Sequence, residues 1–308
     1  MSPRLPSGVL AASITPLQPD LSLAHDAFKQ HVRWLLANGC DGVLLFGTTG
    51  EGLSLTIQER RQGLNTILSA DVAAERLLVG TGALALPDAI ELSRNAARKE
   101  VGGVLVMPPF HFQQISPDGL VRFYDRLIQG VGHDGLRLYF YHFPELSGVP
   151  IPFRVIQRLR EAYPDQIAGI KDSSGEWDHT EALCRDFPEL QVFSGTERLL
   201  LPVLRAGGAG CISATVNVTA PLAAQVMRDW RDDSAPESAQ EQLTDLRTLF
   251  AALPTIPALK HLLAQRHENA DGATVRPPLA PLDDEERQAV NEGADRLHET
   301  LPPSNSGG

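Results

Sequence analysis

The 308-residue sequence has no apolar run approaching the ~18 residues that a membrane helix needs. It has no basic stripe either: 27 lysines and arginines stand against 38 acidic residues, a formal charge of −11. That balance argues against an extended nucleic-acid surface, though local dipoles can still hold small anions. There are three cysteines, Cys40, Cys184 and Cys211, with no C-x-x-C or other ligand spacing. An odd count without a pattern reads as reduced, buried thiols in a cytoplasmic protein. No charged segment followed by an apolar stretch and cleavage site opens the chain, so the run from Val9 to Ile14 reads as a first strand. The nine histidines form no H-E-x-x-H motif. No metal is expected, and neither His111 nor His142 is expected to be a ligand. Lysine is the scarcest charged residue, present only at positions 29, 99, 171 and 260.

Short apolar runs bounded by Gly, Pro or Thr recur along the first two thirds of the chain. They cover residues 9–17, 42–47, 77–82, 102–109, 136–144, 167–174, 190–196 and 208–215. Continuous apolar strands of this kind suit a parallel sheet buried on both faces. Helix signals lie between them. Thr56 and Glu59 fit a capping box, Ser116 followed by Pro117 fits an N-cap with proline at the first helical position, and Phe28, Val32, Leu35 and Leu36 fall at helical spacing. Eight strands alternating with helices predict an α/β fold, a TIM (β/α)₈ barrel; an open doubly wound sheet is the alternative. The expected organisation is a barrel over residues 1–220 carrying the active site, a C-terminal helical region over 221–300, with helix at 221–270 and 283–300, and a disordered tail over 301–308.

Lys171 ends an apolar run, Ile167-Ala168-Gly169-Ile170, and is followed by Asp172-Ser173-Ser174-Gly175. In a barrel this places it at the C-terminal mouth, where such enzymes keep their chemistry. Burial disfavours the ammonium form of a lysine, and a neutral amine can attack a carbonyl to form an imine. An ion pair with Asp172 is an equally good reading from position alone. The loop Gly47-Thr48-Thr49-Gly50-Glu51-Gly52 follows the second strand and could turn its amides and hydroxyls toward a carboxylate. It lacks the Gly-Lys-Ser/Thr of a phosphate-binding P-loop, and an ordinary strand–helix turn also accounts for it. Tyr141, in Tyr141-His142-Phe143-Pro144, ends the fifth strand, where its hydroxyl could move protons or its ring could simply fill space beside Tyr139.

Taken together, the G-T-T-G-E loop, the Y-x-x-P strand end and the G-I-K-D strand end resemble the dihydrodipicolinate synthase and N-acetylneuraminate lyase superfamily. Order and spacing agree over nearly the whole chain, including residues 207–218, 256–260 and 275–282. The resemblance implies a Schiff-base enzyme without metal or organic cofactor, commonly a homotetramer. It makes Lys171 the imine-forming lysine and Tyr141 the proton shuttle, with Thr48 and Thr49, beside Gly47, holding the carboxylate of pyruvate. Gly195 and Ile212 would flank the site.

Three departures bear on the substrate. The synthase branch carries an arginine two residues after the proline of Y-x-x-P; here Leu146 stands there and cannot grip a carboxylate as arginine does. Phe110 aligns with the tyrosine that a neighbouring subunit usually lends to the relay, and His111 is a candidate stand-in. The run Gly195-Thr196-Glu197-Arg198 keeps one of the two acidic residues that hold sugar hydroxyls in the neuraminate lyases. The expectation is a lyase that cleaves or forms a 2-oxo acid, a 2-keto-3-deoxy sugar acid or 4-hydroxy-2-oxo acid, with pyruvate and an aldehyde as partners. Thr196, Glu197 and Ser213 are expected at the distal part of the substrate. Alternatives are dihydrodipicolinate synthase, a dehydratase or deaminase using the same imine, and a silent barrel that binds a 2-oxo acid without turnover.

Overall fold

A computed structural model describes residues 6–112, 114–267 and 270–300. Eight strands, β1 (Gly8–Ala12), β2 (Gly42–Leu45), β3 (Leu77–Gly80), β4 (Gly103–Val106), β5 (Leu138–His142), β6 (Ile167–Asp172), β7 (Gln191–Ser194) and β8 (Gly210–Ser213), pair in parallel and in chain order. Each falls on one of the eight apolar runs, β1 starting one residue before its run at Gly8. The sheet closes where Gly8 meets Gly210 and Ala11 meets Ser213, which rules out the open doubly wound alternative. Closure leaves no strand edge to protect, so nearly every strand position can be buried and apolar.

Alternation along the strands divides the core in two. Leu10, Leu44, Leu78, Leu105, Tyr139, Phe193 and Ile212 point inward and fill the barrel. Their neighbours, among them Val9, Val43, Val79, Val104, Phe140, Ile170 and Val192, point outward under the helices. The largest inward ring, Tyr139, fits because β6 offers a glycine beside it: a Cβ on Gly169 would lie 2.7 Å from that ring and 2.3 Å from the Gln191 carbonyl. A solid floor results, and a large opening lies above it, at the C-terminal ends of the strands.

The helices follow their local signals. His25–Ala37 buries Phe28, Val32 and Leu35 and leaves Leu36 half-buried. Ile57–Leu68 begins with a capping box, in which Thr56 Oγ1 accepts from the Glu59 amide and the Glu59 carboxylate accepts from the Thr56 amide. Ser116 caps Pro117–Val131 by accepting from the Gly119 amide. Beyond the barrel come the helices Val216–Arg231, Glu237–Ala251, Thr255–Arg266 and Asp284–Thr300. Residue 220 falls inside the first of these, which packs directly on β1. Residues 301–308 lie outside the described residues.

Two buried histidines make stability depend on pH. His31 is fully enclosed, with Nε2 2.7 Å from Asn217 Oδ1, and burial pushes it down to about 3. His142 is pushed down to about 4, again chiefly by burial. Unfolded histidine titrates near 6.5, so below that pH the unfolded chain binds protons that the folded one refuses, and stability falls with falling pH. The unfolding midpoint in urea should therefore drop steadily from pH 6.5 toward pH 4. His31→Gln should shallow that slope, and a flat profile between pH 6.5 and 5 would contradict the burial of both rings.

Candidate active site

Tyr141 and Lys171 are direct partners in the register of β5 and β6, both inward and both at the last turn of the barrel wall. Lys171 is 5% exposed. Its Nζ approaches Tyr141 Oη at 3.4 Å and lies 4.5 Å from the ring centre. Thr48 Oγ1 sits 3.3 Å from the same Tyr141 oxygen. The phenol thus stands between the amine and the threonine loop, able to hand a proton either way. Above these groups is a cavity of about 430 Å³, lined by Thr48, Thr49, Tyr141, Lys171, Gly195 and Thr196 among others.

The ion pair between Lys171 and Asp172 does not form, because adjacent strand residues point to opposite faces. The Asp172 carboxylate faces outward, where it accepts from the Ser174 amide at 3.0 Å, Thr180 Oγ1 at 2.7 Å and the His179 ring at 2.9 Å. Burial alone would raise this carboxyl, but those hydrogen bonds outweigh it and hold it below its ordinary value. Among the described residues His142, Asp172 and His179 form one group whose ligand atoms lie close enough for a metal ion. Its geometry does not suit one. The two imidazoles are stacked, 4.4 Å apart and only 16° from parallel, so their in-plane lone pairs cannot converge on a single ion. His142 Nδ1 also accepts from the Ile151 amide at 3.2 Å. The group braces the back of the strands that carry Tyr141 and Lys171.

Other expected site residues divide by position. Gly195 lines the cavity where a side chain could not: a Cβ there would lie 2.0 Å from Ser173 Oγ. Gly47 lines a small recess beside the main cavity with Thr48 and Tyr141. Ile212 is inside the barrel, fully buried. Glu197 and Ser213 do not reach the cavity; Ser213 Oγ and Thr215 Oγ1 donate to the Glu197 carboxylate in a closed cluster beneath it. Leu146 is exposed on the short helix Pro144–Ser147 and does not line the cavity, whereas Glu145 does. Phe110 packs partly buried against the barrel interior, and His111 is exposed, its ring meeting Phe112 edge-on. Sequence reasoning missed Ser173, Arg247, Thr255 and Ile256 as wall residues. The last three come from the C-terminal helices, on which no motif marked them as facing the barrel mouth.

Those helices also hold the threonine loop. Glu51 takes a left-handed backbone conformation, φ 53°, costly for a non-glycine residue. Its carboxylate is buried, forms an ion pair with the fully buried Lys260, and accepts from the Arg276 amide at 2.9 Å. Lys260 Nζ also donates to the Thr274 carbonyl at 2.7 Å. Arg276 completes the clamp through Glu59 and the Ser54 and Leu21 carbonyls. Burial pulls Lys260 below its ordinary value, against the opposing charge of Glu51.

By similarity this closed barrel, with a lysine and a tyrosine paired at its C-terminal mouth, is a class I lyase. The sequence matches the dihydrodipicolinate synthetase family over residues 5–296. It is 35% identical to an uncharacterized DapA-like lyase of Chloroflexus aurantiacus, over 95% of this chain and 97% of that one. It is 31% identical to the 4-hydroxy-tetrahydrodipicolinate synthase of Acidiphilium cryptum, covering 89% and 92%. Among solved structures, dihydrodipicolinate synthase from Agrobacterium tumefaciens superposes with a TM-score of 0.83 at 32% identity, covering 94% of this chain and 99% of that one. The chain belongs to the dihydrodipicolinate synthetase family.

Removing one partner of the buried pair should leave an uncompensated charge. Lys260→Met should cost about 3–5 kcal/mol of stability, read as a lower urea midpoint at unchanged slope. A loss below about 1 kcal/mol would mean that Glu51 is not held as described.

Proposed function

We propose that the protein cleaves or forms a 2-oxo acid through an imine at Lys171, with pyruvate as one partner and an aldehyde as the other. The observation that carries this is the 3.4 Å approach of Lys171 Nζ to Tyr141 Oη beneath the cavity. The Lys171 amine attacks C2 of the 2-oxo acid, and loss of water gives the iminium. Tyr141, left as the phenolate after giving its proton to that departing water, takes the proton of the C4 hydroxyl; the C3–C4 bond breaks, its electrons pass into the iminium, and the aldehyde departs. Protonation of the enamine at C3 and hydrolysis of the imine release pyruvate and restore the amine. Thr48 and Thr49 hold the substrate carboxylate beside Tyr141.

The substrate is a 2-keto-3-deoxy sugar acid or a 4-hydroxy-2-oxo acid. Support comes from the side of the cavity beyond Tyr141. The position that carries arginine in the synthase branch is Leu146, which is turned to solvent, and the wall residue beside it is the acidic Glu145. A carboxylate-bearing aldehyde gains nothing on that side. The relay runs through Tyr141 and Thr48 without a tyrosine from a neighbouring copy, since Phe110 has no exchangeable proton. We place the protein in the cytoplasm, in keeping with its three buried free thiols, as a homotetramer, in keeping with Leu53, Leu84 and Phe112 exposed on loops around the barrel mouth.

Incubation with pyruvate and sodium borohydride should give one pyruvate-sized adduct, mapped to Lys171 by peptide mass spectrometry. Lys171→Ala should abolish it, and full trapping in that variant would overturn the assignment. Tyr141→Phe removes only the hydroxyl and should lower turnover by about 10²–10⁴, with little change in thermal stability. Turnover within threefold of wild type would remove Tyr141 from the relay.

A further inference from the structure

The exit of β1 forms a wall against which the threonine loop lies. Thr15, fully buried, donates through Oγ1 to the Gly50 carbonyl at 2.8 Å. Gly50 sits so close to this segment that a Cβ on it would stand 2.8 Å from the Ser13 carbonyl and 3.1 Å from Thr15 Oγ1. The loop is closed on itself, the Glu51 amide donating to the Thr48 carbonyl and the Gly52 amide to that of Gly47. A shift at Gly50 therefore carries Thr48 and Thr49 with it.

One side chain fixes the exit of β1 in turn. Asn217, also fully buried, is the second residue of the helix Val216–Arg231. Its Oδ1 accepts from the Ile14 amide at 3.1 Å, and its Nδ2 donates to the Ala12 carbonyl at 2.7 Å, so that it grips the chain on both sides of Ser13. Nδ2 also donates to the Ala214 carbonyl at 2.6 Å, just past β8. Backbone groups cannot exchange donor and acceptor roles, so the amide has one orientation. His31 must then donate to Oδ1 through Nε2, 2.7 Å away, and all four hydrogen-bonding positions of the side chain are used. Arg266 Nη1 donates to the Asn217 carbonyl at 3.0 Å, from the same helix, Thr255–Arg266, that sends Lys260 to Glu51.

We infer that Asn217 is a positioning residue for the carboxylate end of the substrate, acting through residues 12–15 and Gly50 on Thr48 and Thr49. This deepens the proposed function and rests on its reading of the two threonines. Among the described residues neither Asn217 nor Thr15 lines the cavity, so both act at one remove. A buried polar network with every member paired rigidifies what it joins. The loop is thereby held at two successive residues by two different means: Glu51 by a charge pair, and Gly50 by an uncharged network that reaches it from the opposite end of the barrel sequence. Loss of that network loosens the grip on the carboxylate and leaves the chemistry of the Lys171 amine as it was.

The test compares pyruvate with acetone, in which a methyl group replaces the carboxylate. Borohydride-trapped adduct at Lys171 is measured against the concentration of each. Pyruvate should half-saturate wild type at the lower concentration, and the ratio of the two half-saturating concentrations reads the carboxylate grip alone. Thr15→Val keeps the shape and removes the hydroxyl. It should lower the ratio by about three- to tenfold, the range of one hydrogen bond, by weakening pyruvate and leaving acetone unchanged. Thr15→Ser should restore it. Asn217→Ala, and the more conservative Asn217→Asp, which sets an oxygen against the Ala12 and Ala214 carbonyls, should each lower the ratio at least as far. A wild-type ratio in Thr15→Val or in either Asn217 variant, or an equal weakening of both ketones, would overturn the proposal. An unchanged ratio in the double variant Thr48→Val/Thr49→Val would overturn the carboxylate reading of the loop, and absence of any adduct in wild type the imine reading. In that last case calorimetric titration with pyruvate decides Asn217 separately, since weaker binding in Thr15→Val and Asn217→Asp, and its rescue by Thr15→Ser, do not require covalent chemistry.

Discussion

The buried pair of Glu51 and Lys260 is the constraint on which the site rests. A short loop after the second strand must carry two threonines to one fixed place beside Tyr141, and the backbone conformation this requires at Glu51 is one that a side-chain-bearing residue adopts only under compulsion. Lys260 and the Arg276 amide supply the compulsion from a segment more than 200 residues away. An ion pair of this kind adds little net stability over a well-packed apolar pair; its effect is on geometry. It holds the loop in this position, and with it the distance between the threonine hydroxyls and the Lys171 amine. The C-terminal helices are therefore part of the site's architecture rather than an appendage to the barrel.

The strands impose a second division. Since neighbours along a strand face opposite ways, each strand end does two things at once. On β5 and β6, Tyr141 and Lys171 point into the barrel, while His142 and Asp172 point out and lock to His179, Thr180 and the Ile151 amide. The outward set fixes the strand ends against the surrounding helices, and the inward set inherits that rigidity. Closure of the barrel between β1 and β8 extends it around the ring.

The barrel was legible because buried parallel strands must be apolar along their whole length, and eight such runs separated by capped helices admit few other solutions. The strand-end positions of Lys171, Tyr141 and the threonine loop were legible from the apolar runs. The roles expected of them came from the family resemblance, since position alone left an ion pair, a space-filling ring and an ordinary turn equally open. Glu197 and Ser213 were located at the correct strand ends but not in the correct direction. Both follow the rule for a polar residue near a barrel mouth, and only the positions of Thr215 and Thr219 reveal that the carboxylate is enclosed. Arg247 was not legible at all. It lies within an ordinary amphipathic helix, four residues after Leu243 and three before Phe250, and which side of that helix meets the cavity depends on how the helix docks.

The solid floor beneath the cavity leaves one route to Lys171. Tyr139 and Phe193 close the barrel below the lysine, so in any reaction through an imine there, substrate, products and the water that hydrolyses the imine would share one entrance. A fragment still bonded to the lysine would stay on the floor while the other left past it, and water would follow by the same path. The packing of two aromatic rings thereby makes arrival and departure compete for a single passage.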